Sequence, residues 1–259
     1  MNTALITGAT SGIGAAFARL LASTGHNLVL VARDAKRLEA TASQLSADNG
    51  VDVAAVSADL ITAEGCEEVA GHARECDLLI NNAGLALGKG FAYTSIEEEE
   101  RLLDLNVRAV LRLTHAALPA MRQRGQGGIV NVSSVAGFGP TMPGSTYNAS
   151  KAWVTNFSQS LAPLARREGV SVMALCPGFV RTEFHDRASI DVSDIPKWMM
   201  LDADFVAETA MRDLLRGKMV SVPSLTYKLL VSGIRHLPTG LVQRITLRME
   251  SVSRRGRNR

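Results

Sequence analysis

Cysteine, aromatic residues and long apolar runs are all scarce in this sequence. Its 259 residues hold three cysteines, Cys66, Cys76 and Cys176. None forms a CxxC pair, and an odd count in a chain of this length argues against a disulfide framework and for reduced thiols in the cytoplasm. No stretch reaches the roughly eighteen apolar residues that a membrane-spanning helix needs. The first apolar segment, Ala4–Ile6, follows Met1 with no basic leader, so no export signal is expected. Aromatic residues make up only 5% of the chain, against 22 glycines, a balance that disfavours an aromatic-rich sandwich and favours helices packed on a sheet through small residues. Net charge is +3, but from Lys228 onward eight Lys/Arg face only Glu250, while the rest carries 20 basic and 24 acidic side chains. The body is thus mildly acidic and the tail basic, a pattern of solvated termini more than of nucleic-acid binding.

What is present is a regular alternation. Apolar runs bounded by turn residues fall at Ala4–Ile6, Leu28–Val31, Val53–Ser57, Leu78–Ile80, Ile129–Val132, Val170–Leu175 and Met219–Val222. Helical periodicity lies between them at Ala15–Thr24, Ala35–Asp48, Ile96–Arg124 and Tyr147–Arg167. Strand, helix, strand in repetition implies right-handed crossovers and a seven-stranded parallel sheet covered on both faces, an α/β doubly wound architecture. No repeat, linker or composition break precedes the tail, so residues 1–222 are read as one domain. Residues 223–259 are read as a helical extension of that domain, with helices at Leu225–His236 and Gly240–Val252 and a basic end.

In open parallel sheets ligands bind beyond the carboxyl ends of the strands, where this sequence concentrates its motifs. After the first run comes Thr7-Gly8-Ala9-Thr10-Ser11-Gly12-Ile13-Gly14, leading into a helix. Its glycines permit a tight turn, close approach of a pyrophosphate to the backbone and close helix-on-strand packing, while the helix start offers unpaired N–H donors. After the second run, NAD-selective dinucleotide sites place an acid. Here Arg33 stands instead, followed by Asp34 and Arg37, and a guanidinium suits a 2′-phosphate, so NADP(H) is expected over NAD(H). Arg33 could also be a surface charge at a helix entry. Asp59-Leu60 follow the third run, where Asp59 can meet the adenine amino group, cap the next helix near Thr62, or do both. Asn81-Asn82-Ala83-Gly84 follows the fourth and can knit strand ends beside a nicotinamide ribose or form an ordinary turn.

Tyr147 and Lys151 stand four apart and therefore on one helix face. A phenol titrates near 10 and is a poor base at neutral pH, but an adjacent ammonium favours the phenolate. Ser134 ends a strand thirteen residues before the tyrosine and can polarise a carbonyl. Asn106 is an amide within an apolar helical stretch, a placement that calls for a dedicated partner.

Thr7-Gly8-x-x-x-Gly12-x-Gly14, Asn81-Asn82-Ala83-Gly84, Asn106, Ser134, Tyr147-x-x-x-Lys151 and Pro177-Gly178-x-Val180-x-Thr182 occur in this order. From Thr3 to about Thr182 the chain thereby resembles the short-chain dehydrogenase/reductase family, in its single-domain NAD(P)-dependent branch. The resemblance implies a Rossmann-type three-layer sandwich and hydride transfer between nicotinamide and a carbonyl or secondary alcohol. Tyr147 would be the acid/base, and Lys151 would hold the ribose and lower the tyrosine pKa. Ser134 would stabilise the oxyanion, and Asn106 would support a proton relay through a water. Gly8, Thr10, Ser11, Gly12, Ile13, Gly14, Arg33, Asp59, Leu60, Asn82, Ala83 and Gly84 would bind the cofactor, with Pro177, Gly178, Val180 and Thr182 flanking the nicotinamide. The segment from Phe184 to Leu201 would form a lid, whose Phe184, Ile190, Ile195, Trp198 and Met199 suggest a lipophilic ketone or 3-oxoacyl substrate. His185 within it is read as a surface residue.

The family also implies a homodimer or homotetramer, paired through the helices at Ile96–Arg124 and Tyr147–Arg167. Many members stop soon after the last strand; this chain continues, and its tail could cover the substrate mouth, contact a subunit or rest on an anionic membrane surface. A rival class, an NADP(H)-binding sensor or scaffold without turnover, would be expected to lack Tyr147, Lys151 or Ser134.

Overall fold

The structure, a computed structural model, describes residues 2–139, 146–193 and 195–236. The expected helix at Gly240–Val252 and the arginine-rich tail lie outside them. Seven parallel strands, β1 (Thr3–Thr7), β2 (Asn27–Ala32), β3 (Val53–Ser57), β4 (Leu78–Asn81), β5 (Gly127–Val132), β6 (Val170–Leu175) and β7 (Val220–Ser221), form one sheet in the order β3-β2-β1-β4-β5-β6-β7. The order reverses between β1 and β4, which places the ligand crevice at their carboxyl ends.

Adjacent residues of the central strands point to opposite faces and build two cores. Ile6, Leu30, Ile80 and Val130 pack on one side with Phe17 and Leu21 of α1 (Gly12–Ser23), Leu38 of α2 (Ala35–Asn49) and Val206 and Leu214 of α8 (Ala203–Leu215). Leu5, Leu79 and Ile129 pack on the other with Val69 of α3 (Ala63–Glu75), Leu113 and Met121 of α5 (Val110–Arg124) and Ala162 of α6 (Thr146–Arg167). Strands buried on both faces explain why their sequence runs are continuously apolar, and each large side chain so buried stabilises the fold by about 1.5–3 kcal/mol. The remaining helices are α4 (Ile96–Leu103), the short α7 (Phe184–Arg187) and α9 (Leu225–His236). Among the described residues no helix is long and apolar enough to cross a membrane.

The helix expected over Ile96–Arg124 is divided. A wider π-helical turn, Asp104–Ala109, separates α4 from α5, and it contains Asn106. α8 is not anticipated by the sequence pattern; it starts where the Asp202 carboxylate accepts bonds from Asp204 N and Phe205 N.

Candidate active site

The crevice is assembled by short polar contacts between strand ends. Thr7 Oγ1 accepts from the backbone N–H groups of Asn82 and Ala83, each at 2.9 Å, and Asn82 Nδ2 donates to Thr7 O at 2.9 Å and Gly8 O at 3.2 Å. Gly8 and Gly12 have φ of 66° and 55°, values that favour glycine. A side chain at Gly14 would overlap Gly8 O and press on Asn82 Nδ2 at 2.5 Å, so α1 can approach β1 this closely only through glycine. Ser11 caps α1 with its backbone but makes no side-chain capping bond, and Thr10, Ser11 and Ile13 are half-buried around the first turn. This cradle of bare backbone at a helix start fits the pyrophosphate of a dinucleotide.

At the end of β2, Arg33 is exposed. Asp34, which could have repelled a 2′-phosphate, turns its Oδ1 to the Arg37 N–H at 3.0 Å and caps α2. Arg37 makes a two-pronged pair with Glu183 at 2.7 and 3.1 Å. Arg37 and Arg187 together hold the Glu183 carboxyl down to about 2. Asp59 Oδ1 accepts from Ile61 N at 3.1 Å, and it is Thr62, not Asp59, that caps α3, by accepting from Gly65 N. The capping alternative for Asp59 is thereby corrected: its carboxylate serves the turn before the helix. Leu60 beside it is buried.

Toward β5 and α6 the polar groups become buried. Asn81 Nδ2 donates to Asn131 Oδ1 at 2.8 Å, and Asn131 Nδ2 to Ser158 Oγ at 2.9 Å, locking β4, β5 and α6 together. Asn106 Oδ1 accepts from Leu85 N, and its Nδ2 donates to Leu85 O, both at 2.9 Å, and to Ser150 Oγ at 3.2 Å. The π-turn has a local cause in this amide, which serves the loop after β4 and not its own helix. Lys151 is buried and its Nζ donates to Val132 O at 2.9 Å. A Cβ on Gly84 would lie 3.2 Å from Asn106 Oδ1 and 3.5 Å from Lys151 Nζ, so that glycine lets the β4 loop pass between them.

Tyr147 hydrogen-bonds the Ser134 side chain, and its ring centroid is 5.7 Å from Lys151 Nζ. Desolvation pushes the phenol up to about 12, against the smaller lowering effect of Ser134. Desolvation also brings Lys151 down to about 8. Burial disfavours the charged form of each group.

Beyond β6, Pro177 O accepts from Val135 N at 3.0 Å, tying the Pro177-Gly178 turn to the segment after Ser134. Val180 pairs with Leu201, and Thr182 packs on Gly12, whose Cβ would meet its Cγ2 at 2.9 Å. Over the crevice, the Phe184 ring lies 6.1 Å from that of Tyr147. His185, expected on the surface, is half-buried between Phe179 and Phe184, and burial lowers its pKa. Of the expected lid side chains, Trp198 is exposed and so contributes little to the crevice wall. Tyr227 is not singled out by the sequence, where its only signal is weak: a single aromatic within an apolar helical stretch.

The chain matches the model of the short chain dehydrogenase family over residues 2–192. An uncharacterized oxidoreductase of Staphylococcus epidermidis is 31% identical over 231 residues, 88% of this chain and 96% of the relative. A short-chain dehydrogenase from Sphingobium yanoikuyae, solved in complex with NADPH, is 38% identical with a TM-score of 0.83, covering 98% of this chain and 96% of its own. The bulky-bulky ketone specific alcohol dehydrogenase of Comamonas testosteroni is 33% identical with a TM-score of 0.79, over 98% and 94%. With its crevice built from the same ordered motifs, the chain belongs to the short chain dehydrogenase family of oxidoreductases.

Proposed function

We propose that this chain is an NADP(H)-dependent carbonyl reductase or secondary-alcohol dehydrogenase for bulky, lipophilic ketones, with Tyr147 as its acid/base. The observation that carries this reading is the convergence of Tyr147, Ser134 and buried Lys151 beneath the Phe184 ring. Gly8, Gly12, Gly14 and the start of α1 would hold the pyrophosphate, and Arg33 the 2′-phosphate. Lys151 and Asn82-Ala83-Gly84 would line the nicotinamide ribose, with Pro177, Gly178, Val180 and Thr182 beside the ring. Bound there, NADP(H) supplies or accepts the hydride at the carbonyl carbon.

The residues do the rest. Ser134 orients the carbonyl oxygen toward Tyr147, and the phenol delivers its proton as negative charge develops there. A phenol with pKa near 12 holds that proton firmly until an alkoxide, a stronger base, forms. Asn106 steadies the Leu85 backbone and Ser150 beside Lys151, where a water relay would recharge the tyrosine. Phe184 and Phe179 present apolar faces to the substrate, in keeping with the Comamonas relative's bulky ketones. Assembly as a homo-oligomer through α5 and α6, where Leu111 and Leu164 are exposed, is part of the reading and rests on the family. The three buried free thiols suit a reducing compartment.

The test is ketone-dependent consumption of NADPH and NADH by the parent, Arg33→Asp and Tyr147→Phe, with cofactor binding followed by nicotinamide fluorescence. Expected are a preference for NADPH that reverses in Arg33→Asp, and turnover lowered by about 10²–10⁴-fold in Tyr147→Phe with binding intact. Absence of binding to either nucleotide, or full turnover without the Tyr147 hydroxyl, would sink the proposal.

A further inference from the structure

We infer that Tyr227, on α9, is a positioning residue that sets the geometry of the nicotinamide wall through its ring and of the substrate loop through its hydroxyl. The inference rests on the function proposed above. Tyr227 is 2% exposed, the deepest aromatic of the C-terminal extension among the described residues. Its ring lies against Gly178, so close that a Cβ there would overlap its Cζ, Cε1 and Cε2. The Tyr227 hydroxyl accepts from Phe179 N at 3.1 Å and donates to Met199 O at 2.9 Å. Phe179 and Met199 stand near the two ends of the loop that carries Phe184 and His185. One oxygen therefore bridges the root of that loop and its return, beside the Leu201 N–H that donates to Phe179 O at 2.8 Å.

The same helix reaches the third wall. Val135 and Phe138, just after Ser134, pack with Tyr227 and Cys176, and a Cβ at Gly139 would meet Ile234 at 2.9 Å. α9 thus contacts the Ser134 segment, the Pro177-Gly178 turn and the substrate loop at once. The Pro177-Gly178 turn and the substrate loop flank the proposed cofactor and substrate sites, so a small shift of either changes how well the matching ligand is held before chemistry begins. A buried side chain that fixes two such segments together acts on catalysis without touching the reacting atoms.

The two contacts are separable by substitution. Tyr227→Phe keeps the ring on Gly178 and leaves Phe179 N–H and Met199 C=O without their shared partner. It should raise KM for a bulky ketone about 5–20-fold while kcat and the NADPH dissociation constant stay within about 2-fold. Trypsin cleavage after exposed Lys197 in the full-length, NADPH-loaded protein, read by mass spectrometry, should accelerate about 5-fold or more as that stretch opens more often. Tyr227→Leu, which also removes the ring, should weaken NADPH binding about 10-fold in addition. The inference is overturned if Tyr227→Phe has parental KM and a parental cleavage rate at Lys197. It is overturned equally if KM, kcat and cofactor affinity all decline by one common factor in step with melting temperature, the mark of a purely structural residue. If Tyr227→Leu does not fold, the phenylalanine variant decides alone. Cleavage and cofactor titration need no turnover, so a protein inactive on every ketone would count against the proposed function while both measurements still decided the role of Tyr227.

Discussion

Lys151 carries its ammonium into a buried place where its Nζ hydrogen-bonds the Val132 carbonyl. One neutral acceptor does not replace the lost water, and the folded chain binds that proton less tightly, with a pKa near 8 against an ordinary value of 10.5. Below pH 8 the lysine is charged both folded and unfolded, and the burial penalty is present in full. As pH rises from 8 to 10.5 the folded chain sheds the proton first, and stability climbs by about 3 kcal/mol. Tyr147 acts oppositely and later: its raised pKa stabilises the fold below pH 10, a contribution lost as pH rises to 12. Urea titrations of parent and Lys151→Met between pH 7.5 and 10 should show a rising profile in the parent that is absent in the variant; parallel profiles would refute the assignment. At this scale the motif residues are legible because each is a chemically odd residue at a strand end or, like Asn106, Tyr147 and Lys151, within a helical stretch. The pairing of Arg37 with Glu183, 146 positions apart, is not, because nothing local in either segment records the other.

Asn106 illustrates what a periodic pattern hides. Apolar spacing runs on through Ile96–Arg124 and predicts a single helix; the break falls at the amide within it, while α5 continues through Pro119. Its fully buried carboxamide satisfies both backbone groups of Leu85, and the helix widens around it. Asn106→Leu would leave a part-buried N–H and C=O without this partner and should lower unfolding free energy by about 1–3 kcal/mol, measured by urea denaturation. A loss below about 0.5 kcal/mol would mean that the π-turn persists for other reasons. α8 is hard to read because its start rests on one capping aspartate and its apolar face mixes Val206, Ala207 and Ala210 with exposed Phe205.

For the molecule as a whole, strand count and parallel direction follow from alternating runs, whereas the order β3-β2-β1-β4-β5-β6-β7 comes from the structure, since right-handed crossovers restrict the order without fixing it. Association is legible only through the family, since exposed leucines are ordinary on any surface. If α5 and α6 meet a second copy, Leu111→Arg with Leu164→Arg should reduce the mass seen by light scattering to that of a 27.6 kDa monomer. An unchanged mass would place the contact elsewhere or deny it.

The substrate loop has one more property. It leaves the sheet after β6 and returns at Leu201, whose N–H and C=O bond Phe179 O and Arg181 N at 2.8 and 3.0 Å. Its two feet stand side by side, so it is attached to the scaffold as a closed ring on a narrow neck. Lengthening such a ring costs little, about 0.6 kcal/mol for each doubling of its length. If the stretch between Glu183 and Trp198 meets substrate as proposed, it is an exchangeable cassette, one in which specificity can be rewritten without rebuilding the machinery beneath it.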